Sequence, residues 1–252
     1  MATPYSEIEI TRQQDIATVT LNRPQAMNAI TPTMLAELIE GLKQLSTDEA
    51  IRFVVLTGAG KAFSAGVDLK ALGDRELVNG KVGDILDLPA REVTTLIEQM
   101  PQPVVAKVNG FCFTGALEIA LACDLIVVAA EAKLGDTHAK WGLRPTWGMS
   151  QRLPRRVGML KARELSLTAR SISGKDCVAL GLANICAPAA ELDGALDALL
   201  DEMRPNSSEA FRAYKDLYRA AENTNLNDGL AYEAQTDYAF SDSNERLAAF
   251  RK

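Results

Sequence analysis

Short apolar segments alternate with longer segments of helical periodicity over the first half of the chain. The apolar segments have the length and composition of buried strands, and they are Ile16–Leu21, Arg52–Thr57, Val104–Val108 and Asp124–Ala129. A segment with helical character lies between each of these strands and the next. Because strands that alternate with helices pair in parallel through helical crossovers, the sequence predicts an α/β fold.

Local signals place further elements in this first half. Glu7–Ile10 alternates apolar and polar residues and is predicted to be an additional strand. Thr31 followed by Pro32 predicts the start of a helix, since threonine caps helices and proline fits the first helical position. The segment Gly73–Pro89 is rich in glycine and aspartate and is predicted to be a mobile loop, followed by a helix at Glu92–Met100.

The second half of the chain is predicted to be mainly helical from Thr146 onward, with one short strand near Ala183–Ala187. Amphipathic periodicity predicts helices at Leu192–Met203, Glu209–Glu222 and Leu226–Ala239. A boundary is predicted near Arg204–Asn206. It divides the chain into a core of residues 1–204 and a C-terminal helical region of residues 205–252.

The net charge argues against nucleic-acid and membrane partners, and the cysteine pattern argues against disulfides. The chain has 252 residues and a net charge of −6, and an acidic surface repels nucleic acid and anionic lipid. None of the four cysteines forms a C-x-x-C pair, which predicts reduced thiols. Met1–Ser6 lacks the features of a signal peptide, and polar residues interrupt the most apolar stretch, 104–130. We therefore expect a cytoplasmic protein with neither a nucleic-acid nor a membrane partner.

Two segments, Gly60–Leu69 and Asn109–Glu118, each follow a predicted strand and lead toward a helix. Small residues there let a ligand approach the backbone, and free N–H groups before a helix can face an anion or a polarised carbonyl. Glu118 lies in an apolar helix, where desolvation raises the pKa of a carboxyl group and suits it to acid/base catalysis. The alternatives are ordinary strand-to-helix turns, and a carboxylate satisfied by an arginine or by backbone donors.

Six segments together resemble the crotonase (enoyl-CoA hydratase/isomerase) superfamily in their order and spacing. They are Leu21–Ala29, Phe63–Leu69, Asn109–Glu118, Ala122–Asp124, Gln151–Arg155 and Gly181–Ala183. The resemblance covers nearly the whole chain and implies a crotonase-like spiral of ββα units, followed by a helical region for trimer formation and for covering coenzyme A. It also implies an acyl-CoA thioester as partner, a homotrimer or a dimer of trimers, no metal, and no cofactor besides the coenzyme A of the substrate.

The resemblance also assigns roles to individual residues. Crotonases polarise the thioester carbonyl with two backbone N–H groups, which match those of Ala65 and Gly115, and their first catalytic glutamate matches Glu118. Arg23 and Lys61 match positions that could contact phosphate, but each could equally be a solvated surface charge. The complete set that resembles substrate- and CoA-binding positions is Arg23, Ala26, Lys61, Ala65, Gly66, Val67 and Asp68.

The sequence departs from the family where hydratases carry a second catalytic glutamate. That position matches His138, which is the single histidine of the chain. Since imidazole transfers protons near neutral pH, we predict that Glu118 and His138 divide the acid and base roles. The alternative is a packing or hydrogen-bonding role for His138. Asp136, two residues earlier, is the fallback carboxylate.

Bulky residues form a second departure from the family pattern. Thr146, Trp147 and Met149 stand in a segment that is usually rich in glycine, and Thr114 and Ala116 replace glycines before the first glutamate. They are predicted either to reshape the acyl pocket or to pack against a neighbouring subunit.

The function implied by this resemblance is that of an enoyl-CoA hydratase, which adds water to a 2-enoyl-CoA. The alternatives within the superfamily are an enoyl-CoA isomerase and a hydrolase of a thioester or a carbon–carbon bond. A non-catalytic homologue that binds coenzyme A or RNA belongs to a different class. The acidic net charge and the absence of a run rich in lysine and arginine argue against RNA.

Overall fold

Two sheets organise the fold. The computed structural model describes residues 5–73 and 77–250. Its strands are β1 (Ile8–Gln13), β2 (Ile16–Leu21), β3 (Phe53–Gly58), β4 (Ala62–Ser64), β5 (Val104–Val108), β6 (Phe111–Phe113), β7 (Leu125–Ala129), β8 (Lys133–Gly135), β9 (Ile172–Ser173) and β10 (Ile185–Ala187). The larger sheet has the order β1-β2-β3-β5-β7-β10, and its pairs are parallel except β1–β2. The smaller sheet has the order β4-β6-β8-β9.

Helices follow the strands in a repeated order. They are α1 (Pro32–Ser46), α2 (Asp84–Gln99), α3 (Gly115–Ala122), α4 (Met149–Val157), α5 (Met159–Thr168), α6 (Gly174–Ala179), α7 (Leu192–Met203), α8 (Ser208–Asn223), α9 (Leu226–Gln235) and α10 (Ser243–Phe250). The units β3–β4–α2, β5–β6–α3 and β7–β8–α4 each place a longer strand in the larger sheet and a short strand in the smaller one before a helix. The predicted α/β spiral of ββα units is confirmed.

Helix α1 begins where its sequence signals predict. The Thr31 hydroxyl accepts the backbone N–H of Met34 at 3.0 Å, and Pro32 occupies the first helical position. This bond satisfies one of the N–H groups that have no partner inside a helix. The buried face of α1 then joins the hydrophobic core with Met34, Leu35, Leu38, Leu42 and Leu45.

Helix α2 begins at Asp84, so the prediction of a loop over Gly73–Pro89 is wrong for its last residues. Residues 74–76 of that segment lie outside the described residues. Pro89 lies inside the helix, where proline costs about 3 kcal/mol. Burial outweighs this cost, because each large apolar side chain that is fully buried contributes about 1.5–3 kcal/mol. The buried apolar face of α2 includes Leu86, Ala90, Val93 and Ile97.

The sequence does not predict the smaller sheet. Its strands have two or three residues each, which is too short for a recognisable period. Strands β4 and β6 pair in parallel, with Ser64 opposite Cys112. These strands belong to the two predicted site segments, 60–69 and 109–118. The residues that follow the strands in each segment therefore lie side by side.

The C-terminal region contains α8, α9 and α10, and partly buried polar contacts attach it to the core. The Lys215 ammonium of α8 donates to the carbonyls of Ile97 and Gln102 at 3.0 and 2.9 Å and pairs with Asp124 at 2.7 Å. The Arg52 guanidinium donates to the Arg204 carbonyl at 3.0 Å, at the predicted boundary. In the described parts of the chain, no helix combines the length and apolar character needed to span a bilayer.

Candidate active site

Helix α3 places the Glu118 carboxylate inside the core. The side chain is 1% exposed, and its Oε1 accepts the backbone N–H groups of Trp147 and Met149, each at 2.9 Å. Burial raises the pKa of Glu118, although the Met149 amide, nearby His138 and the Trp147 amide oppose that rise. The raised pKa expected from the apolar helix is thus present. The backbone donors hold one oxygen in place and leave Oε2 for another partner.

That partner is His138, which the structure places directly beside Glu118. His138 Nε2 lies 3.5 Å from Glu118 Oε2, and His138 Nδ1 lies 2.6 Å from Asp136 Oδ1. Ser166 Oγ donates to Asp136 Oδ2 at 2.6 Å. The side chains of these four residues form a continuous polar chain in the order Ser166, Asp136, His138 and Glu118.

The electrostatics of Asp136 determine which imidazole nitrogen carries a proton. Burial raises the pKa of Asp136, but hydrogen bonds from His138 and Ser166 outweigh it and hold this pKa below its usual range. An ionised carboxylate only accepts hydrogen bonds, so Nδ1 of His138 is the protonated nitrogen of the neutral ring. Nε2 then carries no proton and faces Glu118 Oε2. Asp136, expected from the sequence as a fallback carboxylate, instead lies behind His138 and orients it.

The structure contradicts the assignment of Ala65 as an oxyanion donor. Its N–H already donates to the Met27 carbonyl at 2.9 Å. Ile30 pairs with this segment as in a parallel sheet: its N–H donates to the Gly66 carbonyl at 2.8 Å, and its carbonyl accepts the Asp68 N–H at 2.9 Å. The N–H of Val67, between these two residues, therefore points away from Ile30. Among the described residues, the Val67 N–H has no hydrogen-bond acceptor.

The N–H of Gly115 is available, as the sequence predicts. Gly115 is the first residue of α3, where an N–H has no acceptor within the helix, and the described residues supply no other. Gly66 lies against Thr114, because a Cβ placed on Gly66 would fall on the Thr114 hydroxyl. The two residues with free amides, Val67 and Gly115, therefore directly follow residues that touch each other.

Trp147 packs within its own chain, between Gly115 of α3 and Asp87 of α2. Its side chain is 2% exposed, and a Cβ on Gly115 would collide with its six-membered ring. Its Nε1 donates to Asp87 Oδ1 at 2.8 Å, and the Thr146 hydroxyl donates to the same oxygen at 2.6 Å. Trp147 and Met149 are both buried by this chain, which contradicts the alternative that they pack against a neighbouring subunit. Sequence reasoning missed Asp87, because it lies in the segment predicted to be a loop.

The charged residues that match substrate- and CoA-binding positions fall into two groups. Arg23 donates to the Ala29 carbonyl at 2.6 Å and pairs with Asp68 at 3.0 Å and Glu7 at 3.3 Å. These contacts give Arg23 and Asp68 a structural role in holding the loop that contains Ala26. Lys61 is exposed and pairs with no carboxylate among the described residues.

Asn28 holds this loop in place. It belongs to a segment that resembles the family, but the sequence did not predict it as a site residue. Its Oδ1 accepts the Arg23 N–H at 2.9 Å. Its Nδ2 donates to the carbonyls of Ala59 and Ala62 at 2.9 and 2.8 Å. The Ala26 loop is thereby tied to the strand that leads into Ala65 and Val67.

Comparison with known proteins agrees with this architecture. The model of the enoyl-CoA hydratase/isomerase family matches residues 11–251. A probable enoyl-CoA hydratase of Rhizobium meliloti is 34% identical over 98% of this chain and 95% of that protein. The probable peroxisomal enoyl-CoA hydratase 1 of Arabidopsis thaliana is 38% identical over 67% of this chain and 62% of that protein.

A solved structure gives the same result for the fold. The crystal structure of an enoyl-CoA hydratase from Bacillus anthracis matches with a TM-score of 0.89 and 31% identity, over 98% of this chain and 96% of that one. Sequence and structure agree over nearly the whole length. The chain therefore belongs to the enoyl-CoA hydratase/isomerase family, as the crotonase resemblance of its sequence predicted.

Proposed function

We propose that this chain adds water across the 2,3 double bond of an enoyl-CoA thioester, or removes it in the reverse reaction. The observation that carries the proposal is the Glu118 carboxylate, buried one helical turn after the free Gly115 amide and 3.5 Å from His138 Nε2. The two relatives from Rhizobium meliloti and Arabidopsis thaliana, both named probable enoyl-CoA hydratases, support the same reaction.

The thioester oxygen is proposed to lie between the N–H groups of Val67 and Gly115. When water attacks C3, negative charge develops on this oxygen as the enolate forms. Two donors that are already oriented stabilise that charge without reorganisation, and one such donor contributes about 3–4 kcal/mol to lowering the barrier. Val67 takes the role that the sequence resemblance assigned to Ala65.

Glu118 and His138 are proposed to handle the water and the proton. One of the two removes a proton from the attacking water, and the other delivers a proton to C2 of the enolate. Burial raises the pKa of Glu118, which brings the carboxyl group closer to the pH at which it can both gain and lose a proton. Asp136 accepts from Nδ1 and stabilises the imidazolium that forms when Nε2 takes a proton.

The reaction is tested with crotonyl-CoA in water enriched in ¹⁸O. Hydration gives a 3-hydroxyacyl-CoA that contains one ¹⁸O atom, detected by mass spectrometry, and chiral chromatography identifies the enantiomer. An isomerase would give an unlabelled product of unchanged mass from a 3-enoyl-CoA. A thioester hydrolase would release free coenzyme A thiol. Binding without any of these products would identify a non-catalytic homologue and refute the proposal.

Lys61→Ala is expected to weaken binding of CoA thioesters without slowing the chemical step. Lys61 is an exposed cation between Ala59 and Ala62, whose carbonyls bind Asn28 of the Ala26 loop. One charge-assisted contact to a phosphate at a solvated site predicts a rise in KM of about threefold to tenfold. The measurement compares crotonyl-CoA with crotonyl-pantetheine, which lacks the nucleotide phosphates. An equal rise in KM for both substrates would place Lys61 outside the phosphate site.

The predicted homotrimer or dimer of trimers remains a proposal. Its support is a set of large apolar side chains exposed on the C-terminal helices, namely Tyr214, Tyr218, Leu226, Leu230 and Leu247. The rings of Tyr214 and Tyr218 stack on each other, and a contiguous exposed apolar patch marks a contact with another protein surface. Light scattering during size-exclusion chromatography gives the mass directly, and a monomer at micromolar concentration would contradict the proposal.

A further inference from the structure

Thr114 holds a backbone conformation that favours glycine, at the position just before Gly115. Its φ is 47° and its ψ is −116°. These are close to the angles of the first central residue of a type II′ turn, where glycine is preferred. A β-branched residue is strained there. Glycine at this position would remove the strain, so the retained threonine points to a use for its side chain.

The Thr114 hydroxyl has no hydrogen-bond partner among the described residues, and the residue is 9% exposed. Its oxygen is not one of the buried unpartnered atoms of these residues, so it faces open space from which a bound molecule can reach it. Its backbone groups are already used: the N–H donates to Gly135 at 3.0 Å, and the carbonyl accepts from Glu118 at 3.0 Å. The hydroxyl is thus the part of Thr114 that remains free.

The hydroxyl lies between the two segments that carry the free amides. It stands over Gly66, since a Cβ there would fall on Thr114 Oγ1, and Gly66 directly precedes Val67. Thr114 itself directly precedes Gly115. Gly66 has a φ of 91° and lacks a side chain, which leaves room for the hydroxyl. Three donors without an acceptor among the described residues therefore lie close together: the N–H groups of Val67 and Gly115 and the hydroxyl of Thr114.

We infer that the Thr114 hydroxyl donates a hydrogen bond to the thioester oxygen of the substrate, as a third donor beside the amides of Val67 and Gly115. This inference rests on the proposed function. The hydroxyl keeps its proton throughout: charge gathers on the thioester oxygen as water adds to C3, and the hydrogen bond strengthens as that charge develops. Thr114 is a catalytic residue in this sense, because it touches the reacting thioester.

Thr114→Val and Thr114→Ser form a matched pair for the test. Valine keeps the branched shape and removes the hydroxyl, whereas serine keeps the hydroxyl and removes the methyl group. With crotonyl-CoA, valine is expected to lower kcat by about 10-fold to 100-fold with little change in KM, and serine to recover most of that loss. Thr114→Gly removes both strain and hydroxyl, and is expected to melt at a higher temperature than the valine variant while turning over as slowly.

A spectroscopic measurement reports on the hydrogen bond without turnover. Butanoyl-CoA labelled with ¹³C at the carbonyl is saturated and cannot be hydrated, and its bound C=O stretching frequency falls as donors polarise it. The frequency is expected to rise in the valine and glycine variants and to stay low in the serine variant. If the valine variant does not fold, the glycine variant carries both measurements.

The outcomes separate this inference from the proposed function. An enzyme that hydrates crotonyl-CoA equally well with threonine or valine, at the same carbonyl frequency, would overturn the role of Thr114 and leave the hydratase proposal standing. A serine variant as slow as the valine variant would also overturn it, since the methyl group would then be the part that matters. A wild-type chain that neither turns over acyl-CoA thioesters nor binds butanoyl-CoA would refute the proposed function itself.

Discussion

Replacing Glu118 with glutamine is expected to abolish turnover and to leave a folded protein that is at least as stable as wild type at neutral pH. Glutamine keeps the shape, and its Oε1 can still accept the N–H groups of Trp147 and Met149. Its Nε2 can donate to His138 Nε2, the unprotonated nitrogen of the neutral ring. It cannot exchange a proton, and acid/base catalysis by one group is worth about 10²-fold or more, so kcat should fall at least that far.

The stability part of this prediction has a defined pH dependence. Burial raises the pKa of Glu118 in the folded state above its unfolded value, which is about 4.3. The folded protein therefore binds this proton more tightly, and wild type loses stability relative to Glu118→Gln as pH rises from the unfolded pKa through the folded one. Below about pH 4 the advantage of the variant should vanish.

Thermal unfolding of both proteins from acidic to neutral pH measures that difference. The difference in Tm should grow with pH and then level off. A variant that retains more than about a tenth of wild-type kcat would remove Glu118 from the mechanism. A difference that shrinks as pH rises would contradict the raised pKa.

His138→Ala is expected to lower kcat by about 10²-fold or more with little change in KM for crotonyl-CoA. The reason is that Nε2 lies 3.5 Å from Glu118 Oε2 and is the second group proposed to carry a proton to or from the substrate. Initial rates over a range of substrate concentrations, together with Tm, give the measurement. His138→Glu would restore the two-carboxylate arrangement of the resembled hydratases, and is expected to recover part of the rate.

Asp136→Asn and Ser166→Ala are matched controls for this second prediction. Asparagine removes the charge that stabilises an imidazolium, so a loss of about tenfold or more in kcat is expected while the ring remains present. Ser166 lies behind Asp136, and removing its hydroxyl should change kcat far less. A stable His138→Ala enzyme with full activity would exclude the imidazole from proton transfer. It would point to a mechanism resting on Glu118 alone.

Periodicity in the sequence predicted the long strands and helices well, and the short elements poorly. The strand at Val104–Val108 and the capped start of α1 needed no tertiary information, because apolar runs and capping residues act locally. The smaller sheet consists of strands of two or three residues, whose pairing depends on the larger sheet beside them. Helix α2 was predicted to start too late, because Pro89 is an unfavourable local signal that the burial of a whole helix face overcomes.

The proposed acid/base pair was visible in the sequence, whereas the donors of the proposed oxyanion site were only half identified. Glu118 and His138 stood out as a carboxylate in an apolar helix and as the single histidine of the chain. Ala65 and Val67 are two residues apart in one motif, and residue type does not reveal which N–H is free. The hydrogen bond from Ala65 to Met27 joins segments far apart in sequence, so the tertiary structure alone shows that it is occupied.

The sequence by itself determined the family, the α/β class and the residue types able to move a proton, because motif order and apolar periodicity are written along the chain. The tertiary structure decided how those residues are used. It placed Asp136 behind His138, engaged Arg23 with Glu7 and Asp68, and left the Thr114 hydroxyl free beside Gly66. Hydrogen bonding and burial depend on distances across the fold, and strand pairing and packing create those distances when the chain folds.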